Sequence, residues 1–390
     1  MQAGIAGLVV AYVLSQFFRA FLAVLAPVLQ ADLGASPGDL ALASGLWFLG
    51  FAAMQIPVGE ALDRIGPRWT ASVLLGLGGG GGAALFAAAA APWHVALAMT
   101  LIGIGCSPVL MASYLIFARS FSPAVFATLA GAIVGLGSLG NLLSAAPLAA
   151  LVEAVGWRAA LLGLAVATAG VAVLLLAVVR DPAVPPAPQG RQGSVLDLMR
   201  IGALWPVLLM MLAGYGPVAA LRGLWAGPFA ADLHGAGPRA IGWVTLAMGL
   251  AMVAGNFAYG AADRLFASRK GPVLAGNLLV LLALLLLAWA PRMDLWAAAA
   301  LLAIAGFFGS SFPLIMAHGR AFVPAHLTGR GVTLINMFAI GGAGILQMLS
   351  RSVHATGSTP EAAYRALFLF LSATVAGGLL AYLAARDRLD

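Results

Sequence analysis

Two arginines stand where a guanidinium is expensive. Arg19 lies between Phe17-Phe18 and Phe21-Leu22, and Arg222 between Ala220-Leu221 and Gly223-Leu224-Trp225. An arginine in the middle of a bilayer-spanning helix costs from about 2.5 to over 10 kcal/mol, so each side chain needs a partner that repays it. No Asp or Glu occurs in the central part of any apolar stretch, because the 13 acidic residues fall in loops or near stretch ends. Two cations in apolar surroundings without carboxylates suit an anion, since arginine offers a planar, permanently charged fork to carboxylate, phosphate, sulfonate or nitrate oxygens. The competing reading is that each arginine bonds backbone carbonyls or snorkels to an interface. Tyr12, Ser15 and Gln16 precede Arg19 at spacings of three and four, which sets a polar stripe along one helical face. Gln55, Tyr114 and Asn141, with Tyr215, Asn256 and Asn336 as their echoes in the second half, complete the candidate substrate-binding set together with Tyr12 and Gln16. For each of these a hydrogen bond between helices competes with a role in binding.

Other chemistry finds little support. The single Cys106 excludes an internal disulfide or a thiolate metal cage. The five histidines, at 94, 234, 318, 326 and 354, lie near stretch ends without metal-ligand spacing. His318, close to Arg320, is a candidate proton-responsive gate. The glycine run at 78–82 sits in an apolar stretch and lacks the Lys-Ser/Thr ending of a phosphate-cradling loop. An enzyme would need a nucleophile, a base or a metal cluster; the sequence offers none, so no enzymatic activity, cofactor or metal is expected.

The elements that must position these residues are membrane helices. Of 390 residues 62% are hydrophobic, against 20 Lys and Arg and 13 Asp and Glu. A span needs roughly 20 apolar residues, and twelve stretches meet that need: 5–29, 40–62, 69–91, 94–117, 125–152, 159–179, 201–231, 241–262, 272–290, 295–317, 332–353 and 363–385. This excludes a soluble enzyme and a single-anchor receptor, and predicts an all-α integral membrane protein. Net charge is +7, which here reads as a topology signal, with no nucleic acid partner expected. Placing the amino terminus in the cytoplasm puts 13 basic residues in inside loops and tail and 5 in outside loops. That bias predicts both termini in the cytoplasm of a cell (inner) membrane protein. No hydrophilic leader precedes the first stretch, so the amino terminus is expected to be retained. Residues 181–199, with Pro185-Pro186-Ala187-Pro188, read as a solvated linker between an N-terminal six-helix bundle, 1–180, and a C-terminal one, 200–390.

The halves repeat. Asp63-Arg64 and Asp263-Arg264 are 200 residues apart, Arg119 and Arg320 are 201 apart, and Arg19 and Arg222 are 203 apart. Such a parallel repeat is expected of a two-bundle transporter with its site at the interface of the repeats. Glycines 131, 135, 137 and 140 in the fifth stretch add small-residue surfaces on which helices can slide.

Gly59, Asp63, Arg64, Gly66 and Arg68 resemble the signature G-x-x-x-D-R-x-G-x-R that major facilitator superfamily transporters carry between their second and third helices, and Asp263 with Arg264 falls where that family repeats it. The resemblance implies two pseudo-symmetric six-helix bundles and a conformational gating role for these seven residues. Physically, Asp63 could cap or pair with cationic groups at a neighbouring helix end while Arg64 and Arg68 lie at headgroup level, the competing reading being simple anchoring. Arg19, Pro27 and Ser36-Pro37-Gly38-Asp39 further resemble the start of organophosphate:phosphate antiporters, in which paired arginines on the first and seventh helices bind phosphate. The second half departs from that pattern, because Pro228 follows Arg222 by six residues rather than eight.

Together these features predict a secondary active transporter, expected to be monomeric, that moves a small organic anion by alternating access. Efflux of lipophilic compounds by proton antiport is the alternative, although the fifth stretch lacks G-P-x-x-G-G and Met99 stands where drug antiporters usually carry an arginine. A transporter-like sensor without net flux is the alternative of another class.

Overall fold

The computed structural model describes residues 2–35, 37–183 and 193–389. Ser36 and the proline-rich stretch at 185–188 lie outside the described residues, as do the side chains of Pro27 and Asp263. Among the described residues every regular element is helical. Twelve segments are long and apolar enough to cross a membrane: α1 (Ala3–Ala20), α2 (Leu42–Arg64), α3 (Pro67–Ala87), α4 (Pro92–Ser120), α5 (Val125–Val155), α6 (Trp157–Val178), α7 (Gly202–His234), α8 (Ala240–Ala262), α9 (Lys270–Trp289), α10 (Leu295–Arg320), α11 (Ala325–His354) and α12 (Pro360–Leu383). The first apolar stretch is broken at Phe21, after which a second helix, Leu22–Leu33, continues it.

Contacts gather these segments into two compact units, one made of residues 1–121, 135–195 and 324–334, the other of 122–134, 196–323 and 335–390. The units follow the two sequence halves except that the first residues of α5 belong to the second unit and the first residues of α11 to the first.

In the first unit α4 packs closely on both α2 and α3. A Cβ on Gly105 would fall 2.0 Å from the backbone nitrogen of Gly79, and one on Gly103 would fall 2.3 Å from the carbonyl oxygen of Trp47. Contact of backbone with backbone is the means by which apolar helices associate where lipid removes the hydrophobic drive between them. Segment α3 meets α4 through a π-helical turn, Leu75–Gly80. Segment α4 is interrupted at Ser107-Pro108, and Gln55 Nε2 donates to the freed Ser107 carbonyl at 3.4 Å as well as to Phe51 O at 3.2 Å. In the second unit α10 is interrupted 203 residues later, at Ser310-Ser311, and Asn277 Nδ2 donates to Ser311 Oγ at 3.1 Å and to Val273 O at 2.9 Å. Both bonds answer one constraint: hydrocarbon supplies no water to satisfy buried polar groups, here the Ser107 carbonyl freed by the break and the Ser311 hydroxyl beside the other one.

Each unit also closes its sixth span on its third, by the same dipeptide. After α6 comes Arg180-Asp181, and Asp181 Oδ1 accepts the Arg68 backbone N–H at 2.8 Å at the start of α3, against Gly66 in its left-handed conformation at φ 100°. After α12 comes Arg386-Asp387, and Asp387 accepts the backbone N–H groups of Arg269 and Lys270, both at 3.1 Å, and the Ser268 hydroxyl at 2.6 Å at the start of α9. A carboxylate at a helix N-terminus satisfies donors that have no partner within the helix and complements its dipole. Partial burial works to raise the Asp387 carboxyl, but the hydrogen bonds from Ser268, Lys270 and Arg269 outweigh it and hold the group below the ordinary aspartate value.

Two outcomes are expected. Gly105→Ala should destabilise the protein by about 1–3 kcal/mol through overpacking, whereas Gly163→Ala, whose Cβ meets nothing within 4 Å, should leave stability unchanged or raised; melting temperatures of the two purified variants check this. Because the Asp387 carboxyl lies below its unfolded value, the tail should stay attached above about pH 4 and detach as pH falls through the depressed value. Protease sensitivity of residues 384–389 as a function of pH would show it.

Candidate functional site

Arg19 falls in the last turn of α1, half-buried in the first unit. Its guanidinium carbon lies 5.1 Å from the ring centre of Trp47 and 5.8 Å from those of Phe48 and Phe51. Trp47 and Phe51 stack on one another with centroids 5.2 Å apart. An arginine held against aromatic faces is stabilised by their quadrupoles while its N–H groups stay directed at other partners. Among the described residues no carboxylate, carbonyl or hydroxyl accepts from Arg19, and its Nε is buried without a partner. The Oε1 of Gln16 and the Nε1 of Trp47 are likewise buried without a partner, whereas Ser15 hydrogen-bonds Cys106. Cys106 lies beside both Ser15 and Arg19. Tyr12 lines the same face of α1; its ring lies against Gly137 of α5, and Gln16 lies against Gly137 and Gly140, so two expected sliding glycines act as seats for the polar stripe. Tyr114 is buried near Tyr12. Asn141 is half-buried one residue beyond Gly140.

Gln55, expected on the cavity wall, uses its amide donor on the backbone repair of α4. In the second unit Arg222 is half-buried in a π-helical turn, Leu221–Trp225, within reach of Gly249 of α8. Tyr215 packs against Phe312 with ring centres 5.6 Å apart. Asn256 donates to Met252 O, one turn back in its own helix, at 2.9 Å. Asn336 is buried in α11.

The signature segment forms a separate cluster within the first unit. Asp63 Oδ1 accepts the Gly329 N–H at 2.8 Å and Oδ2 accepts the Arg330 N–H at 3.1 Å, so the carboxylate caps the α-helical part of α11, Thr328–His354, from across 266 residues of sequence. Arg119 Nη2 donates to Asp63 Oδ1 at 3.0 Å, and Arg330 Nη1 lies 3.6 Å from Oδ2. All three side chains are at most 6% exposed. Gly59 permits the approach, since a Cβ there would fall 2.3 Å from Thr333 Oγ1 and 3.0 Å from Arg330 Cα. Arg64 makes an exposed pair with Glu60 at 2.9 Å, of the kind worth little in water. Arg68 donates through Nε to Leu176 O at 2.7 Å, joining α3 to α6. In the second unit Arg264 donates to Thr128 Oγ1, and Gly260 approaches Gly131. This repeat of the contact made by Gly59 and Asp63 lies where the 200-residue period places it.

The sequence missed Trp47, because an indole in an apolar run carries no signal of a missing hydrogen-bond partner. It also missed Arg119 and Arg330 as partners of Asp63, counting both as cytoplasmic charges and Arg119 as a mark of the repeat, and it passed over the repeated Arg-Asp dipeptides that follow α6 and α12. His318 is buried and joined to the tail, with Nδ1 2.5 Å from the Tyr382 hydroxyl and Nε2 2.9 Å from Arg386 O. Because the carbonyl can only accept, Nε2 carries a proton, and in the neutral ring Nδ1 accepts from the tyrosine. No cluster of three metal-ligating side chains occurs among the described residues.

Twelve apolar spans, paired repeats and buried ionic clusters at span ends describe a polytopic membrane carrier. Residues 8–226 match the Major Facilitator Superfamily, more than half of the chain, and the protein belongs to that family. Three solved structures share the fold: the transporter FucP in its outward conformation, with a TM-score of 0.78 at 15% identity over 96% of this chain and 97% of that one; the E. coli fucose:proton symporter FucP, 0.75 at 16% over 96% and 97%; and the human organic anion transporter MFSD10 (TETRAN), 0.76 at 16% over 98% and 99%. No curated protein sequence matches the chain. The chain is thus a multi-pass integral membrane protein with the twelve-helix major facilitator fold and is a secondary transporter by family.

Replacing the central carboxylate of the ionic cluster should be costly. Asp63→Asn would leave Arg119 buried without its counter-ion and Arg330 with only the half-exposed Glu60, 3.7 Å away, and removing one member of a buried pair costs about 3–5 kcal/mol. A clear fall in melting temperature for Asp63→Asn, against little change for Arg64→Gln on the exposed pair, is the expected result.

Proposed function

We propose that the protein carries a small organic anion across the cell (inner) membrane by alternating access, with both termini in the cytoplasm and the halves 1–180 and 200–390 as the moving bodies. The observation that carries this reading is Arg19: a half-buried guanidinium braced on three aromatic rings, with no carboxylate and no acceptor among the described residues. A cation placed at such cost is held ready for an anion that arrives from outside the protein. Arg222 is the proposed second cation, and Tyr12, Gln16, Tyr114, Asn141, Tyr215 and Asn336 are proposed to complete the binding surface. Gln55 and Asn256 belong to the same proposed set through the helix breaks and turns that they hold in place.

The carboxylate of Asp63 supports a gating role for its segment, with Gly59, Arg64, Gly66, Arg68, Asp263 and Arg264. It holds the start of α11 through two backbone hydrogen bonds that must be surrendered if that helix end moves away. Without a carboxylate in the middle of any span, coupling is proposed to run by exchange of anions, or by protons carried on substrate or histidine, rather than by a buried Asp or Glu relay.

The test is a thermal-shift screen of the detergent-purified protein against carboxylates, phosphate esters, sulfonates, nitrate and cationic drugs, repeated on Arg19→Gln and Arg222→Gln. One anion class should stabilise the wild type, by about 2.7 kcal/mol at a hundredfold excess over its dissociation constant, and both variants should lose the response. Equal responses in wild type and variants, or a response to cationic drugs alone, would replace this reading with efflux of lipophilic compounds.

A further inference from the structure

The groups left unsatisfied around Arg19 describe the cargo more closely than its charge does. Buried polar atoms in proteins are almost always hydrogen-bonded, and each exception needs a cause. Here three fall together: Gln16 Oε1 and Arg19 Nε one turn apart on α1, and Trp47 Nε1 on α2, whose ring faces the guanidinium at 5.1 Å. Trp47 is 1% exposed and Gln16 is 7% exposed. Residues three and four apart on a helix have Cβ atoms about 5–6 Å apart. A group bound on Arg19 therefore has its next one or two heavy atoms within reach of Gln16.

The types of these groups differ in a telling way. Arg19 and Trp47 can only donate, so both suit oxygens of the ligand. Gln16 adds an acceptor: its carbonyl oxygen finds no partner among the described residues. An acceptor beside a cation requires a ligand with a hydrogen-bond donor close to its negative charge. That donor is neutral, because an ammonium group would call for a carboxylate, and the acidic residues of this part of the chain, Asp32 and Asp39, lie beyond the ends of the helical turns concerned. A phosphate group projects oxygens in every direction and would set one against the Gln16 carbonyl, whereas a carboxylate presents two oxygens in one plane to the arginine fork.

We infer that the cargo is a hydroxylated carboxylate, an acid bearing a hydroxyl near its carboxyl group, with the carboxylate on Arg19 and the hydroxyl donating to Gln16. The inference rests on the anion-carrier reading above and narrows it. The Trp47 indole completes the shell by donating to the ligand's oxygens. A site built to bond a hydroxyl discriminates strongly against the analogue that lacks it, because its own buried groups are then left unpaired.

Calorimetric titration of the purified full-length protein with matched acids tests this: lactate against propionate and gluconate against hexanoate, with alanine and glycerol 3-phosphate as further probes. In at least one pair the hydroxylated acid should bind about tenfold or more tightly than its deoxy analogue. Gln16→Met, close in shape, should bring that ratio to about one while the deoxy acid keeps its affinity within a factor of about three, and Arg19→Gln should weaken both acids. Equal binding within both wild-type pairs, or a ratio unchanged in Gln16→Met, would overturn the inference. The wild-type ratio decides even if that variant does not fold. Arg19-dependent binding of glycerol 3-phosphate without any carboxylate would also overturn it yet leave the anion carrier standing, whereas binding of no anion, or binding indifferent to Arg19→Gln, would remove both.

Discussion

A single carboxylate governs the ionic core of this protein. Asp63 is taken almost wholly out of solvent, and an ion in that position survives only if all its lone pairs are used and its charge is matched. Two backbone N–H groups at the head of a helix and two guanidinium groups meet that demand. The rest of the local structure is arranged around this need. Gly59 is bare so that Thr333 and Arg330 can come close, Arg119 is drawn in from the end of α4, and the helix starting at Thr328 takes its first hydrogen bonds from a residue of α2. What looks in sequence like a loop motif is a joint between parts of the chain that are far apart in it.

The same physics divides the polar residues of the spans into two groups. Some are consumed by the fold: Gln55 mends an interrupted helix, Asn277 bonds the Ser311 hydroxyl, Asn256 bonds its own preceding turn, and Tyr259 donates to Phe308 O at 2.9 Å. Others have nothing to bond. Gln16, Arg19 and Trp47 fall in the second group, and they fall together. Residue type does not separate the groups, since glutamine occurs in both; the position of the neighbouring backbone does. In an apolar interior an unsatisfied group is a cost that packing cannot remove, which is why a cluster of such groups is informative.

Much of the architecture was legible in the sequence. Twelve apolar stretches and a period near 200 residues follow from composition and spacing alone, because lipid imposes length and hydropathy on every span, and the signature around Asp63 was legible through its resemblance to a known family. The interruptions at Ser107-Pro108 and Ser310-Ser311 were not legible, since each lies inside an apolar run and shows only when the hydrogen-bond ladder is traced. The partners of Asp63 were hidden for a different reason. Arg119 and Arg330 look like topology charges at cytoplasmic span ends, and only folding decides that they turn inward. Around Arg19 the sequence showed the cation and the stripe beside it but not the indole across from them, because no periodicity links α1 to α2.

The twin Arg-Asp dipeptides bear on what the central connection has to do. Asp181 clasps the first unit before residues 184–192 begin, and Asp387 clasps the second at the far end of the chain, each by closing a sixth helix onto a third. Each half thus carries its own latch. The central connection therefore has no fastening to supply, because each unit's sixth helix is held to its third by an aspartate of that unit.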